Sequence, residues 1–352
     1  MKILILGASY GSLLSTKMLM AGHNVSLVCL PEEANLINKS GTEVRLKLRD
    51  EAEHRPIRSA DLTGTLDAVT PPQVDLSRYD LVGLAMQEPQ YSAPEVADLL
   101  KKIAAAGLPC LSIMNMPPLA YLKRIPALQK LDLSGCYRDA SVWQHFDPAN
   151  VSLCSPDPQA FRPPEELLNV LHVGLPTNFK AAHFEKPEHQ KLLSTLAEDI
   201  AGLNIEGKDI PVKLRLHESV FVPMAKWSML LTGNYRCIGK DQVRPIREAV
   251  HGDAGASADV YAYVDSLVEK IGGKKADAVP FEKYANAAQS LLKPSSAARA
   301  IDAGAVNIER VDRLVQTIGK AFNMQHPVVD TIVQTVDYRL EANREKANAE
   351  PA

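Results

Sequence analysis

The sequence predicts an α/β protein whose first part is a doubly wound parallel sheet and whose last part is all-helical. An apolar strand, a glycine turn and a helix open the chain, and long helical periodicities fill its later part. Between these regions lie short, nearly continuous apolar runs. Such runs are typical of strands that are covered on both faces of a parallel sheet.

The first 28 residues form a predicted βαβ unit. A strand at 2–6 is followed by the turn Gly-Ala-Ser-Tyr-Gly-Ser, a helix closed by Gly22 and a second strand from Val25. Backbone N–H groups and the helix dipole at such a turn can hold a pyrophosphate, so this Rossmann-type unit makes a dinucleotide the leading ligand. The predicted cofactor-binding residues of the turn are Gly7, Ala8, Ser9, Tyr10, Gly11 and Ser12.

Three further segments are predicted to be strands. The segment 43–49 alternates apolar with charged residues, as a strand with one solvated face does. The segments 80–86 and 109–113 are almost entirely apolar and flank a predicted helix at about 93–106. Together they favour a sheet that continues from the opening unit.

The pattern of apolar residues changes near residue 187, where helical periodicities begin. In the last long segment, apolar residues from Ile308 to Phe322 recur at steps of three and four, which indicates a helix with one buried face. We therefore expect a dinucleotide-binding domain at 1–185, a helical substrate and dimerisation domain at 186–344, and a flexible tail at 345–352.

Composition excludes several classes of function. The net charge of −3 is spread without a basic stripe, so nucleic acid is not an expected partner. No apolar run is long enough for a membrane span, and no signal peptide is seen, which predicts a cytoplasmic protein. The histidines and cysteines lack metal-ligand spacing, so no metal site is expected.

The glycine turn, the helix stop at 21–25, the strand beginning at Asp80 and the helical second half together resemble the ketopantoate reductase family. The resemblance covers most of the chain in order. It implies a Rossmann-type NADP-binding domain, a helical domain and a cleft between them, where hydride passes to a small 2-oxo acid or related carbonyl. A homodimer formed through the helical domain is compatible with this plan.

Two departures from the family concern the cofactor. The turn is one residue shorter than the family's Gly-x-Gly-x-x-Gly and lacks its middle glycine. Where the family places an Arg for the 2′-phosphate, this chain has Leu30, followed by Pro31, Glu32 and Glu33. The resemblance implies NADP, but NAD stays open as the coenzyme. Either Glu32 or Glu33 faces the ribose of NAD, or both glutamates lie in solvent at the N-terminus of a helix.

Two residues follow predicted strands at the edge where doubly wound sheets bind ligands. Gln87 stands after the strand 80–86, where the family has a Lys that helps to hold substrate or cofactor. Asn115 follows the next strand, where the family has Gln-Asn-Gly at the nicotinamide end of the cleft. The resemblance assigns cofactor binding to both residues and a catalytic role to Asn115; the alternative for Asn115 is a turn former.

The segment 224–234 carries the candidate catalytic lysine. The family has a catalytic Lys followed at four and eight residues by Asn, and alignment on Lys226 leaves Asn234 eight residues on, with Leu230 at the first Asn. If Trp227 is the anchor instead, Met229 replaces the lysine. An ammonium beside a carbonyl oxygen would stabilise the developing alkoxide and donate the proton. The alternative is an exposed helical lysine.

The family's last motif is a Ser followed, about a dozen residues later, by a Glu that binds the substrate hydroxyl. Ser295 or Ser296 opens the corresponding segment, and Asn307 or Glu309 takes the acidic position, depending on the gap. The alternative is that either serine caps the following helix.

The sequence leaves two other functions open. An opine-type, imine-reducing dehydrogenase shares the two-domain plan, and a non-catalytic dinucleotide-binding sensor would fit the replacements at Leu30, Gln87 and Leu230.

Overall fold

The computed structural model describes residues 1–48 and 51–349 and divides into two compact units. The first unit comprises Met1–Met86, Gln90–Tyr121 and Ser141–Pro223. The second comprises Gln87–Pro89, Leu122–Ala140 and the chain from Met224 onward.

The strands belong to the first unit. They are β1 Lys2–Leu6, β2 Asn24–Val28, β3 Glu43–Leu46, β4 Arg55–Arg58, β5 Leu66–Val69, β6 Leu81–Leu84, β7 Cys110–Ile113, β8 Val151–Ser155, β9 Gln159–Phe161, β10 Val170–Leu175, β11 Phe179–Ala182, β12 Asn204–Ile205, β13 Lys208–Asp209 and β14 Leu214–His217.

The α-helices are divided between the units. Those of the first unit are α1 Ala8–Met20, α2 Pro31–Ser40, α3 Pro94–Ala105, α4 Leu119–Leu122, whose last residue belongs to the second unit, and α5 Pro187–Ala201. Those of the second are α6 Lys226–Met229, α7 Ile246–His251, α8 Ala254–Lys270, α9 Phe281–Ala288, α10 Ser296–Asp302, α11 Val311–Ala321 and α12 Pro327–Ala349.

The main sheet of the first unit has the strand order β14-β11-β8-β7-β6-β1-β2-β5. The six neighbouring strands β8, β7, β6, β1, β2 and β5 run parallel to one another, and β11 pairs antiparallel with β8. The chain leaves β1 on one side for β2 and returns on the other side as β6, so the order of strands reverses between β1 and β6. In a doubly wound sheet this reversal point is where ligands bind, beyond the carboxyl ends of the strands.

The core of the main sheet consists of its central strands. Residues 3–6 of β1 and the whole of β6 and β7 are buried, because helices cover both faces and leave little room for polar side chains. A second sheet, of order β4-β3-β10-β9, packs beside α1. It contains the predicted strand 43–49, which is observed at β3 with its alternating burial, while Arg49 lies outside the described residues.

The core of the second unit is formed by helices that each bury one face. In α11 the predicted apolar stripe is buried, and its members Val311, Leu314, Val315 and Ile318 have no exposed surface. Because α11 packs on α12 and α8, this stripe meets apolar faces of two other helices. The predicted fold class, a Rossmann-type doubly wound sheet followed by helices, is confirmed.

The structure differs from the helical expectation in one stretch after residue 186. Helix α5 is followed by the short strands β12, β13 and β14, of which β14 extends the main sheet beside β11. The reason is visible in the sequence: Leu214 and Leu216 alternate with Arg215 and His217, a period of two that suits a strand.

Helix α12 continues to Ala349, which includes most of the segment predicted as a tail, and residues 350–352 lie outside the described part. The flexibility of 345–352 and the domain boundary at residue 185 stay predictions. Over residues 1–48 and 51–349, no helix has both the length and the apolar character needed to cross a bilayer.

Candidate functional site

The glycine turn lies at the carboxyl end of β1, where the order of the main sheet reverses. Gly7 has φ +103°, and a Cβ there would lie 2.7 Å from the Ala85 carbonyl oxygen, just beyond β6. A glycine is therefore required by both the backbone angle and the close approach to the neighbouring strand. Gly7 N–H donates to the Val28 carbonyl at 2.9 Å, so the turn is joined to β2 as well.

Gly11 fixes how closely α1 packs on β1. A Cβ on Gly11 would lie 2.7 Å from Cγ2 of Ile5, so only glycine permits this approach. Close packing of the helix on the strand is the role of the third glycine in dinucleotide-binding turns. Ser9 is exposed and lies between the two glycines.

The other side chains of the turn are engaged inside the first unit. The Tyr10 hydroxyl donates to the Pro158 carbonyl at 2.6 Å, and burial raises the pKa of Tyr10 well above its ordinary value. The Ser12 hydroxyl donates to the Ala8 carbonyl one turn earlier. The side chains of Tyr10 and Ser12 are therefore engaged within the protein, and of their two N–H groups only that of Tyr10 lies in the first turn of α1. Gly7, which carries no side chain, leaves the first N–H groups of α1 without a side-chain cap.

The end of β2 carries an ion pair that the sequence did not reveal. Leu30 is 75% exposed and begins α2 as its N-cap. Glu32 is exposed in the first turn of α2, whereas the carboxylate of Glu33 accepts a hydrogen bond from the Arg162 guanidinium. The hypothesis of two solvated glutamates therefore describes Glu32 but not Glu33.

Asn115 lies just beyond the carboxyl end of β7 and is partly exposed, whereas Met114 and Met116 on either side are buried. This position is at the edge of the main sheet that carries the glycine turn. Gln87 follows β6 along the chain and is exposed. Their assigned roles in cofactor binding and catalysis stay predictions.

Lys226 and Asn234 lie on the accessible face of one helical segment. Between Met224 and Tyr235, the partly exposed residues are Lys226, Met229 and Asn234, and the others are buried. Residues eight apart in an α-helix differ by about 80° around the axis. Here Leu230–Asn234 form a π turn, in which each residue advances less around the axis, so Asn234 turns back toward the face of Lys226.

The π turn is held by a residue from another helix. The Tyr284 hydroxyl donates to the Met229 carbonyl at 3.2 Å, where the π turn begins. Gly233 leaves space for this hydroxyl, since a Cβ at position 233 would overlap it. π turns inside helices are frequent at functional sites. Gly233 and Tyr284 were missed by sequence reasoning, and a glycine inside an apolar helical segment was the available signal.

Ser295 joins this segment to α10. Its buried hydroxyl donates to the Asn234 carbonyl at 2.8 Å and accepts from the Ala298 N–H at 3.1 Å. Ser295 is thus the N-cap of α10, as the alternative hypothesis states, and Ser296 is the exposed first residue of that helix. A substrate-binding role of either serine stays a prediction.

Glu309 is positioned by Tyr235, the residue that follows Asn234. The Tyr235 hydroxyl donates to the Glu309 carbonyl at 2.6 Å and accepts from the Val311 N–H at 3.0 Å. Because Tyr235 is buried, this pair of bonds fixes the backbone around Glu309. Asn307 lies two residues earlier and is partly exposed. In the second unit, the hydroxyls of Ser295 and Tyr235 therefore hold the main chain at Asn234 and Glu309.

Glu88 is a buried carboxyl group that sequence reasoning missed. It is 2% exposed, its Oε1 accepts from the Arg138 N–H at 3.0 Å, and its own N–H lies 3.3 Å from Oε1 of Glu309. Burial, and secondarily the negative charges of Glu309 and Asp139, raise the pKa of Glu88 to about 7. Perturbed carboxyl groups of this kind are common at functional sites. The available signal was an acid close after a buried parallel strand.

Within the described ranges, no three His, Cys, Asp or Glu residues stand together as a metal-binding group. The candidate ligand groups of the first unit are backbone N–H groups at the glycine turn and the Asn115 amide. Those of the second unit are the side chains of Lys226, Asn234 and Glu309.

Comparison with known proteins gives similarity in fold. No family model and no curated sequence matches the chain. Among similar solved structures, 2-dehydropantoate 2-reductase from Methylococcus capsulatus has a TM-score of 0.64 at 12% identity, covering 100% of this chain and 99% of that one. A PanE/ApbA family ketopantoate reductase from Ralstonia eutropha JMP134 has a TM-score of 0.63 at 16% identity, covering 98% and 100%.

A third similar structure is D-mandelate dehydrogenase with NADH and anilino(oxo)acetate, with a TM-score of 0.64 at 14% identity, covering 98% of this chain and 100% of that one. The chain therefore has, over almost its full length, the fold of the ketopantoate reductases and of this dehydrogenase.

Proposed function

We propose that this protein is a nicotinamide-dependent oxidoreductase that reduces a small 2-oxo acid or a related carbonyl compound. The observation that carries the proposal is the glycine turn at the reversal point of the main sheet. At Gly7 neither the backbone angle nor the distance to Ala85 tolerates a side chain. This is the requirement of a tight strand-to-helix turn, which in dinucleotide-binding sheets places a helix N-terminus at the pyrophosphate.

The residues of the turn fit the diphosphate of a dinucleotide. The N–H groups of Ala8 and Ser9 lie in the first turn of α1, which has no side-chain cap, and the helix dipole favours an anion there. We assign the diphosphate to these N–H groups and to the Ser9 hydroxyl. When bound, a reduced nicotinamide supplies hydride.

The proton is assigned to Lys226. A carbonyl that accepts hydride at carbon needs a proton at oxygen, and an ammonium stabilises the negative charge that develops there. Asn234, on the same helical face, would orient the substrate by hydrogen bonds from its amide. Glu309 would accept a hydrogen bond from the product hydroxyl, and Asn115 would contribute its amide at the end of β7.

The fold and the functions of similar proteins support the substrate class. The three similar structures are of two ketopantoate reductases and a D-mandelate dehydrogenase, the last with NADH and anilino(oxo)acetate. A homodimer through the helical unit and a cytoplasmic location stay predictions.

Titration of the purified protein with NADH and NADPH, followed by fluorescence, tests the proposal first. A panel of 2-oxo acids, with and without amino acids, is then followed by the absorbance of the reduced coenzyme. Turnover without an amine supports the proposed function. A requirement for an amino acid would indicate the opine-type reaction, and tight coenzyme binding without turnover would indicate a sensor.

Substitution of Lys226 by Ala tests the assigned proton donor. We expect turnover to fall by roughly 100- to 10,000-fold, the contribution of one positioned acid, while coenzyme affinity stays the same. Lys283→Ala, at an exposed position of α9, is the matched control and should retain full turnover. Equal turnover in the two variants would contradict the assignment.

A further inference from the structure

The end of β2 is the place where dinucleotide-binding folds distinguish a ribose 2′-hydroxyl from a 2′-phosphate. In this chain Leu30 projects there without a polar group and is 75% exposed. The groups able to make this distinction must therefore come from elsewhere in the first unit.

Arg162 reaches this position from a distant part of the chain. It follows β9 directly, 129 residues after Glu33, and its Nη2 donates to Oε1 of Glu33 in the first turn of α2. The Glu33 side chain is 12% exposed and that of Arg162 is 23% exposed. Because both charges are largely removed from water, their electrostatic effect on a group that binds nearby is only weakly screened.

Cys29, the last residue before Leu30, is affected by both charges. Burial, together with the negative charge of Glu33, raises the pKa of its thiol to about 12, while Arg162 opposes this rise. The ion pair therefore acts at the end of β2 itself. Its influence on Cys29 also provides a way to observe the pair without any coenzyme.

We propose that the Glu33–Arg162 pair determines coenzyme choice at this site and makes the protein specific for NAD(H). The inference rests on the proposed function. Glu33 accepts a hydrogen bond from a ribose 2′-hydroxyl but repels a 2′-phosphate. Arg162 could bind that phosphate, but in this chain its charge is already neutralised by Glu33. Removal of Glu33 releases Arg162 as a phosphate ligand.

Fluorescence titration of the apoprotein with NADH and with NADPH tests the proposal. We expect the wild-type protein to bind NADH at least about tenfold more tightly, since loss of one charged hydrogen bond and gain of one repulsion are involved. In Glu33→Gln we expect NADPH affinity to rise about tenfold, and NADH affinity to fall, because a neutral amide oxygen accepts a weaker hydrogen bond from the 2′-hydroxyl than a carboxylate does.

Two further variants separate the pair from its surroundings. Glu32→Gln is the matched control, because Glu32 lies exposed in the same turn of α2 and should leave the ratio of affinities unchanged. The double variant Glu33→Gln/Arg162→Gln should lose the gain for NADPH, because the released guanidinium is absent. Thermal unfolding of each variant checks that the fold is retained.

Alkylation of Cys29 gives a readout that does not need a coenzyme. At a fixed alkaline pH, Glu33→Gln should increase the alkylation rate of Cys29, and Arg162→Gln should decrease it. Unchanged rates in both variants would place the pair away from the end of β2 and overturn the inference.

The binding results separate failure of the inference from failure of the proposed function. A wild-type preference for NADPH, or an unchanged ratio of affinities in Glu33→Gln, would overturn the inference alone. If neither coenzyme binds the wild-type protein, the proposed function fails and the inference falls with it.

Discussion

The two units prepare their candidate ligand groups in different ways. In the first unit the groups are backbone N–H groups at the start of α1, and the essential residue is Gly7, which contributes no side chain. In the second unit the groups are the side chains of Asn234 and Glu309, whose backbones are fixed by Ser295 and Tyr235. Backbone N–H groups can serve as ligands where a glycine lets the turn form, whereas side chains need neighbouring residues that hold them in place.

The largest effect is expected at Gly7. In Gly7→Ala, the positive φ and the approach to Ala85 should lower the free energy of unfolding by about 2 to 4 kcal/mol. Dinucleotide affinity should fall by about 100-fold, as for the loss of two charge-assisted hydrogen bonds. Urea unfolding and coenzyme titration measure the two effects.

Gly107→Ala is the control for backbone strain. Gly107 has φ +66°, but a Cβ there would meet only Nδ2 of Asn150, at 3.9 Å. This variant should lose stability through strain and keep its dinucleotide affinity. If Gly7→Ala and Gly107→Ala bind coenzyme equally well, the glycine turn does not bind the diphosphate of the coenzyme.

The two units also differ in the ionisable groups that they bury, and the first unit buries a lysine. Lys17 in α1 is 1% exposed, and its Nζ donates to the Pro211 carbonyl at 3.0 Å. Burial, and secondarily the charge of Lys213, lower the pKa of Lys17 from 10.5 to about 7. Between these values the unfolded chain binds a proton that the folded chain does not, so stability should rise with pH.

Lys17→Met should remove this rise. Between pH 7 and 10.5 the wild-type protein should gain up to about 4 kcal/mol in free energy of unfolding relative to the variant. Urea unfolding across this range measures the difference. Lys39→Met, at an exposed position of α2, should follow the wild-type curve. A wild-type curve parallel to that of Lys17→Met would show that the buried amine stays charged.

The second unit buries a carboxyl group, and the sign of its effect is reversed. Because the pKa of Glu88 rises from 4.5 to about 7, the folded chain binds the proton that the unfolded chain loses in this range. The stabilisation is complete below pH 4.5 and is lost as the pH rises to 7. Glu309, Asp139, Arg138 and Tyr137 are the ionisable groups that interact with it.

Glu88→Gln should remove this dependence. From pH 4.5 to 7 the free energy of unfolding of the wild-type protein should fall by up to about 3 kcal/mol relative to that of the variant. Glu282→Gln, at an exposed position of α9, is the control and should behave as wild type. Parallel curves for wild type and Glu88→Gln would mean that Glu88 ionises normally.

Sequence periodicity predicted the parts of the fold whose pattern is local. Strands β1, β6 and β7 were predicted from nearly continuous apolar runs, and β2 from its place after the first helix. Strand β3 was predicted from apolar residues at every second position, and helix α11 from a helical period. The short strand β14 was missed, since an alternation over four residues is easily overlooked inside a helical region.

The candidate site was predicted only in part, for a physical reason. Gly7 and Gly11 were found because a turn leaves a local signature, and the structure explains both by close approach. Glu88 and the Glu33–Arg162 pair were not found, because their properties depend on groups far away in the sequence. The π turn at 230–234 was missed for a similar reason, since Gly233 was visible in the sequence but its contact with the distant Tyr284 was not.

The second unit is assembled from three separate stretches of the chain, two of them inserted among segments of the first. Its residues 87–89 and 122–140 are synthesised long before the helices that they join. No single cut in the polypeptide can therefore release either unit whole, and an amino-terminal fragment would carry pieces that lack their intended neighbours. Protein engineers who wish to exchange one unit for that of another protein would need to transplant all three stretches together.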